Sequence, residues 1–245
     1  MYEKLKQFSV DNQTLQQFKQ KGFLIMLSKK VFQFLTAVAE NNNREWFAIH
    51  KDEYEEAKAE VLAFVEQLLK AVAAVDPLIA GDADPKKHVM RIYRDVRFSK
   101  NKDPYKTNFG IWFSAKGKGG NEPGYYLHLQ PGRSFVAGGY WMPEAAHLKL
   151  IRQEIDYNIS DFKAIVEEEV FAENFKLSTE NALKNAPKGY DPADPNIAFL
   201  KLKSFEVLKK IDDGEFMKAE IVDKLKSSYQ IIYPLVAFLR NAIDQ

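Results

Sequence analysis

Met90-Arg-Ile-Tyr-Arg-Asp-Val-Arg-Phe98 is the stretch on which the fold turns. Up to about residue 75 the apolar residues recur every three or four positions; here they recur every second one. Met90, Ile92, Val96 and Phe98 fall on one side, and Arg91, Tyr93, Asp95 and Arg97 on the other, which is the period of a β-strand. Arg94 is the exception, falling on the apolar side. More alternating runs follow. Phe109, Ile111 and Phe113 form one, and Tyr125, Leu127 and Leu129 another. The turn Pro131-Gly132 leads into Ser134-Phe-Val-Ala-Gly-Gly-Tyr-Trp141. The glycine-rich Lys116-Gly-Lys-Gly-Gly-Asn-Glu-Pro-Gly124 reads as a hairpin connection. Four strands joined by short turns predict an antiparallel meander.

Helical periods lie on either side. Ser28 can cap a helix that aligns Val31, Phe34, Leu35 and Val38, and Asn41-Asn-Asn43 breaks it. A second helical stretch is expected from Arg44-Glu-Trp-Phe47 to about Val75, with Val61, Leu62, Val65, Leu68, Leu69 and Val72 on one face. Asp76-Pro77 and Gly81-Asp-Ala-Asp-Pro85 make a turn-rich linker. After the strands, Pro143 is expected in the first turn of a helix carrying Ala146, Leu150, Ile151 and Ile155. Another helix begins at Ser160-Asp161. Ala186-Pro-Lys-Gly-Tyr-Asp-Pro192 is loop, prolonged by Pro195. A last long helix is expected from about Glu215, with Ile221, Leu225, Ile232, Leu235, Val236 and Leu239 inward and a kink at Pro234. The class is therefore α+β: a central antiparallel sheet of at least four strands flanked by N-terminal and C-terminal helices. Residues 26–245 are expected to form a single α+β domain. Residues 1–25 read as an N-terminal extension outside the core, or as upstream of a translation start at Met26.

Apolar residues make up 46% of the chain, enough for a substantial core. Cysteine is absent, which excludes disulfides, thiolate nucleophiles and cysteine-ligated metals and fits a cytoplasmic location. No stretch approaches the ~20 apolar residues of a membrane span, so a soluble protein with no membrane partner is expected. Met1–Gly22 lacks the apolar centre of a secretory signal.

Charge is concentrated. Lys86 to Lys106 holds eight Lys/Arg against two Asp, about +6, in a chain whose net charge is +1. Such a cluster suits an anion. Arg91 and Arg97 on alternate strand positions, about 7 Å apart, could clamp a phosphate or carboxylate with their planar forks. Asp95 between them would orient the guanidinium groups, or serve as acid/base or metal ligand. Tyr93 and Arg94 belong to the same run. Ser99, Lys100, Lys102, Tyr105, Lys106 and Thr107 could close over the ligand from the loop that Pro104 stiffens. The bland alternative is a salt-bridged face in which Asp95 pairs with Arg94 or Arg97 and the lysines are merely solvated.

The string Arg-x-Tyr-Arg-Asp-x-Arg-Phe-Ser-x-x-Lys-x-Pro-Tyr-Lys-Thr, at Arg91–Thr107, resembles the signature of a widespread uncharacterised family, a domain of unknown function found in bacteria and fungi. Asn41-Asn-Asn-Arg-Glu-Trp-Phe47, with Lys51 and Tyr54, resembles its N-terminal motif. Pro123-Gly-Tyr-Tyr-Leu-His-Leu129 and Gly138-Gly-Tyr-Trp-Met-Pro143 resemble its central motifs, and Ala186-Pro-Lys-Gly-Tyr190 its C-terminal one. The resemblance covers roughly residues 26 to 241. It implies an α+β domain of about this length and no particular activity, substrate or cofactor.

These positions also have two readings each. Arg44, at a helix start, could contact an anion, while Trp46 and Phe47 suit the core. Tyr126 and His128 face away from Tyr125 and Leu127; they could line the same pocket, with His128 as a proton carrier, or be ordinary hydrogen-bonded strand residues. Gly138-Gly139 allows a close approach or forms a bulge. Lys188-Gly189-Tyr190 is a loop that could reach the rim, or a plain turn. Gly117-Lys-Gly-Gly120 fits neither phosphate-binding glycine pattern. The four histidines are too scattered for a dedicated zinc site, and Glu167-Glu-Glu169 reads as a solvated helix face.

Three functions stand side by side. One is an enzyme acting on a phosphorylated or otherwise anionic small molecule. Arg91 and Arg97 would bind the anion, Lys102 and Lys106 would assist, and Asp95 or His128 would move a proton. Another is a non-catalytic module for nucleic acid or a phosphate ligand, with Tyr93, Phe98 and Tyr105 available for stacking; the pI near 7.8 counts against wholesale nucleic-acid binding. The third is a structural or partner-binding protein. A concave pocket would favour the enzyme, an open groove the binder.

Overall fold

The computed structural model describes residues 26–117 and 121–244. The expectation for residues 1–25 lies outside the described residues. The first helix, α1 (Lys29–Glu40), starts where Ser28 accepts a hydrogen bond from the Lys30 amide. The three asparagines after it have separate tasks. Asn41 ends α1, its amide N–H and side chain both bonding the Ala37 carbonyl. Asn43 caps α2 (Arg44–Ile49), its Oδ1 accepting from the Trp46 amide at 2.8 Å. Asn42 reaches elsewhere, to the site described below. The expected single helix from Arg44 is interrupted at His50, and α3 (Lys51–Ala73) follows. The His50 ring stacks on Trp46 at 4.0 Å and its Nδ1 bonds the Trp46 carbonyl, consolidating that break.

The sheet contains β1 (Phe109–Phe113), β2 (Gly124–Leu129), β3 (Phe135–Tyr140) and β4 (Phe205–Lys210), antiparallel in the order β1-β2-β3-β4. It has the four strands expected, but not the same four. Residues 88–98 are not a sheet strand. Only Val89 bridges β1, opposite Ile111; Tyr93 then bridges Tyr105 within its own hairpin. Arg94 N donates to Pro104 O and Lys106 N to Ile92 O, so the run pairs with the residues that follow it and leaves the sheet. The alternation from Arg91 to Arg97 is real as burial, but Phe98 is 95% exposed rather than on the apolar side. The fourth strand lies far along the chain, where Phe205 and Val207 face inward and Glu206 and Leu208 outward.

One sheet face is fully buried: Ile111, Phe113, Tyr125, Leu127, Leu129, Val136, Phe205 and Val207. It is covered by α8 (Ile221–Ile243) and α3, because α8 presents Leu225, Tyr229, Ile232, Leu235, Val236 and Leu239 on one side. Gly138 makes this docking possible: a Cβ there would lie 2.6 Å from the Ile232 side chain. At Gly139 the backbone has φ +112, and a Cβ would meet Phe205 O at 2.0 Å, so only glycine fits. The opposite face carries half-buried Trp112, Tyr126, His128 and Phe135.

The remaining helices are α4 (Ala145–Tyr157), α5 (Ile159–Val166), α6 (Glu169–Asn174) and α7 (Ile197–Leu200). Pro143 lies before the Glu144 cap of α4 rather than in its first turn. Glu168 caps α6, its Oε2 accepting from the Phe171 amide, instead of belonging to a solvated helix face. The last helix begins at Ile221, after a short 3₁₀ turn at Asp213–Met217, and runs through Pro234 to Ile243. A buried ion pair ties its end to the linker after α3. Arg240 Nη1 donates to Asp76 Oδ1 at 3.0 Å, Nη2 lies 2.7 Å from Oδ2, and Tyr125 OH donates to the same Oδ2. No helix among the described residues is long and apolar enough to cross a membrane.

Candidate functional site

The hairpin from Arg91 to Thr107 projects before β1 and is braced by three of its own predicted site residues. Arg94 Nη1 donates to the Asp103 carbonyl at 2.9 Å, and Nη2 lies 3.4 Å from Ser99 Oγ. Lys102 Nζ donates to the Val96 carbonyl at 3.0 Å. Arg94, Ser99 and Lys102 thus spend their polar groups on the shape of the loop. Its base is fixed by aromatic stacking. Tyr105 is buried and lies on Phe47 at 3.9 Å, nearly parallel, with Tyr93 5.5 Å away. Asn42 closes the joint: its Nδ2 donates to Tyr105 O and its Oδ1 accepts from Tyr105 N, both at 3.0 Å. The side-chain amide acts here as a strand edge. The asparagine run was legible as a helix break, but nothing in the pattern pointed Asn42 at residue 105.

Beyond this base the side chains are exposed. Asp95 and Arg97 form a forked pair, Nε to Oδ1 at 3.0 Å and Nη2 to Oδ2 at 2.7 Å, and the Arg97 amide also donates to Oδ1. Those bonds, with Arg91 nearby, hold the Asp95 carboxyl below its usual range. It is thereby kept ionised and acceptor-only, poorly suited to proton transfer. The Arg97 guanidinium also lies 5.8 Å from the Phe98 ring centre.

Arg91 and Lys106 have no carboxylate within ion-pair distance among the described residues. Lys106 is half-buried, and burial together with the Arg91 charge pushes its ammonium below the usual lysine value. Arg44 is exposed and close enough to act on the Tyr105 phenol electrostatically, although burial has the larger effect and raises Tyr105 overall.

Thr107 leads to a chain of side chains on the open sheet face. Gln130 Nε2 donates to Thr107 Oγ1 at 2.9 Å, which turns Gln130 Oε1 toward His128 Nε2 at 3.0 Å. His128 must then carry its proton on Nε2, leaving Nδ1 to accept from Tyr126 OH at 3.0 Å and, more weakly, from Asn108 at 3.4 Å. The imidazole also stacks on Phe135 at 4.7 Å. Burial lowers its pKa, partly offset by Gln130, and raises the Tyr126 phenol to about 12. Both ring nitrogens are occupied. Gln130 and Asn108 had not been singled out from sequence; Gln130 sits at the end of a recognisable strand, but a glutamine there carries no chemical signal of its own.

The structure therefore gathers Arg91, Tyr93, Asp95, Arg97, Lys106 and Thr107 around one hairpin. His128 joins them through Gln130 and Thr107 and, more weakly, through Asn108. Tyr190 lies electrostatically beside Arg152, Asp156 and Tyr157, on α4. No group of three or more His, Asp or Glu suited to a metal occurs among the described residues. Two described cavities lie elsewhere, one along α1 and one beside His88.

A family model described as Conserved hypothetical protein (DUF2461) matches residues 30–238. The chain belongs to that family. The matched region runs from the second residue of α1 to within α8, so it takes in the Arg91–Thr107 hairpin, the whole sheet and the helices that cover it. No curated protein and no solved structure matches the chain significantly.

Proposed function

We propose that the Arg91–Thr107 hairpin is a non-catalytic anion-binding element whose best-suited ligand is a single-stranded nucleic acid. The observation that carries this reading is Phe98: a phenylalanine at 95% exposure, beside Arg97 and near Lys100, on a loop braced by its own hydrogen bonds. An exposed aromatic among cations suits base stacking combined with backbone contacts. Tyr93, at 51% exposure, offers a second ring. Arg91 and Lys106 supply adjacent positive charge for a phosphate, and each phosphate neutralised releases counterions.

Catalysis finds less support. Asp95 is engaged with Arg97, and both nitrogens of His128 are bonded within the sheet. A second reading, a phosphorylated small molecule held by Arg91 and Lys106 alone, draws on the depressed ammonium of Lys106, which an anion would relieve.

The test is fluorescence anisotropy with labelled oligothymidine and oligouridine of about 12 nucleotides. Binding is expected to weaken steeply with salt. Phe98→Ala should cost about 5- to 150-fold, the range of one stacked base. Arg91→Ala/Lys106→Ala should shrink the salt slope. Oligonucleotide binding that is absent, or indifferent to all three substitutions, rejects the reading. A variant pair that loses only small phosphates points to the second one.

A further inference from the structure

We propose that the cavity beside His88 is a separate binding site for a small organic phosphate, independent of the hairpin. Its volume is about 420 Å³, within the range of small-molecule sites. Ala80 and Ala83 come from the turns after α3, Lys87 and His88 from the 3₁₀ turn at Pro85–Lys87 and its end, and Ser114–Gly117 from the end of β1. The hairpin meets β1 at its other end.

The lining combines two features. Lys87 and Lys116 are both exposed at this cavity, and neither ammonium has a partner among the described residues. None of its described lining residues is acidic. Asp84 is committed to the Lys86 amide, and buried Glu122 accepts from the Lys116 backbone amide at 2.6 Å. Two lysines that meet no acid favour an anion, and lysine binds phosphate as a compact point charge. The remaining wall is small and largely apolar: Ala80, Ala83, Ala115 and Gly117 leave room for a short carbon chain.

The frame of the cavity is fixed. Ser114 Oγ donates to the Gly117 carbonyl at 3.0 Å. Gly117 has φ +74, a conformation that disfavours any side chain there. His88 is held from two sides, its Nδ1 on the Trp112 carbonyl at 2.9 Å and its carbonyl accepting from the Trp112 amide at 3.0 Å. Its ring lies on Phe113. A ligand entering this space meets a preformed wall, and only the two lysine side chains need to reorient, which limits the ordering cost of binding.

The experiment is calorimetric titration of the full chain with propyl phosphate, inorganic phosphate and glutarate. Propyl phosphate should bind tightest, because it alone joins a phosphate to an apolar body. Lys87→Ala/Lys116→Ala and Ala83→Leu should each weaken it by about ten-fold or more; the second fills the cavity and keeps both lysines. Arg91→Ala/Lys106→Ala should leave it unchanged. No binding of propyl phosphate at about 10 mM overturns the proposal. So does binding that survives the paired lysine variant, or that is lost in the hairpin variant instead. Tighter binding of glutarate overturns the assignment to phosphate. Should Ala83→Leu fail to fold, the paired variant of exposed lysines still decides.

Discussion

Tyr126 OH donates to His128 Nδ1 at 3.0 Å, and the same hydroxyl occupies the space that a side chain at position 110 would need. A Cβ built on Gly110 would lie 2.6 Å from that oxygen. Gly110 and His128 are register partners on β1 and β2, so the bond and the gap are one arrangement. Gly110→Ala should destabilise the protein by about 1–3 kcal/mol through overpacking. Tyr126→Phe removes the clashing oxygen, so the double variant should recover part of the loss. Denaturant unfolding of the four proteins measures the coupling; strictly additive losses would mean the hydroxyl is not what the alanine meets.

His128 makes stability depend on pH in a definite direction. Burial holds its folded pKa below the ordinary 6.5, so the unfolded chain takes up protons first as pH falls. The contribution is complete above about pH 6.5 and declines as pH drops through the folded pKa. Urea unfolding at about pH 7.5 and about pH 5.5 should show a smaller acid loss in His128→Gln than in the parent. NMR of the imidazole should place its titration below that of an exposed histidine.

Asp76 and Arg240 are 0% and 5% exposed and pair through both oxygens. Arg240→Met strands a buried carboxylate and should cost about 3–5 kcal/mol. Asp76→Leu/Arg240→Met removes both charges and should be less harmful than the single change, less the bond Tyr125 loses. Equal losses in the single and double variants would show that packing, not the stranded charge, sets the cost.

Asn42→Ala deprives both backbone groups of Tyr105 of their partner. About 1–3 kcal/mol of local stability should be lost. Hydrogen exchange should rise at Tyr105 and its neighbours before it rises in β2 or β3. Uniform exchange across the sheet would mean that the hairpin opens only with the whole molecule.

Phe98→Ser should leave the unfolding midpoint almost unchanged, within about 0.5 kcal/mol, because the ring is exposed. A large loss would assign Phe98 to the core despite its position.

The sequence made the α+β class, β1, β2, β3 and most of the helices legible, because each is a local apolar period. β4 was not, since Phe205–Lys210 is short, ends in two lysines and acquires its partner only when β3 lies beside it. The Met90–Phe98 run was misleading for the converse reason: its alternation is real, but Arg94 and Lys106 bond the hairpin to itself. At the candidate site, residue types identified the hairpin. They offered the Asp95–Arg97 pair as one of two readings without deciding it, and did not reveal that Gln130 joins His128 to Thr107, since the first depends on rotamers and the second on neighbours across strands.

The Asp76–Arg240 pair also sets a clock on synthesis. The two residues are 164 positions apart. At a translation rate of about 5–20 residues per second, roughly 8–33 s pass between their additions to the chain. For the part of that interval that follows the addition of Phe113, Tyr125 and Leu127, the inner sheet face they build lacks the C-terminal helix that will cover it. On the ribosome, this protein must keep an apolar sheet face from other chains until nearly its last helix is made.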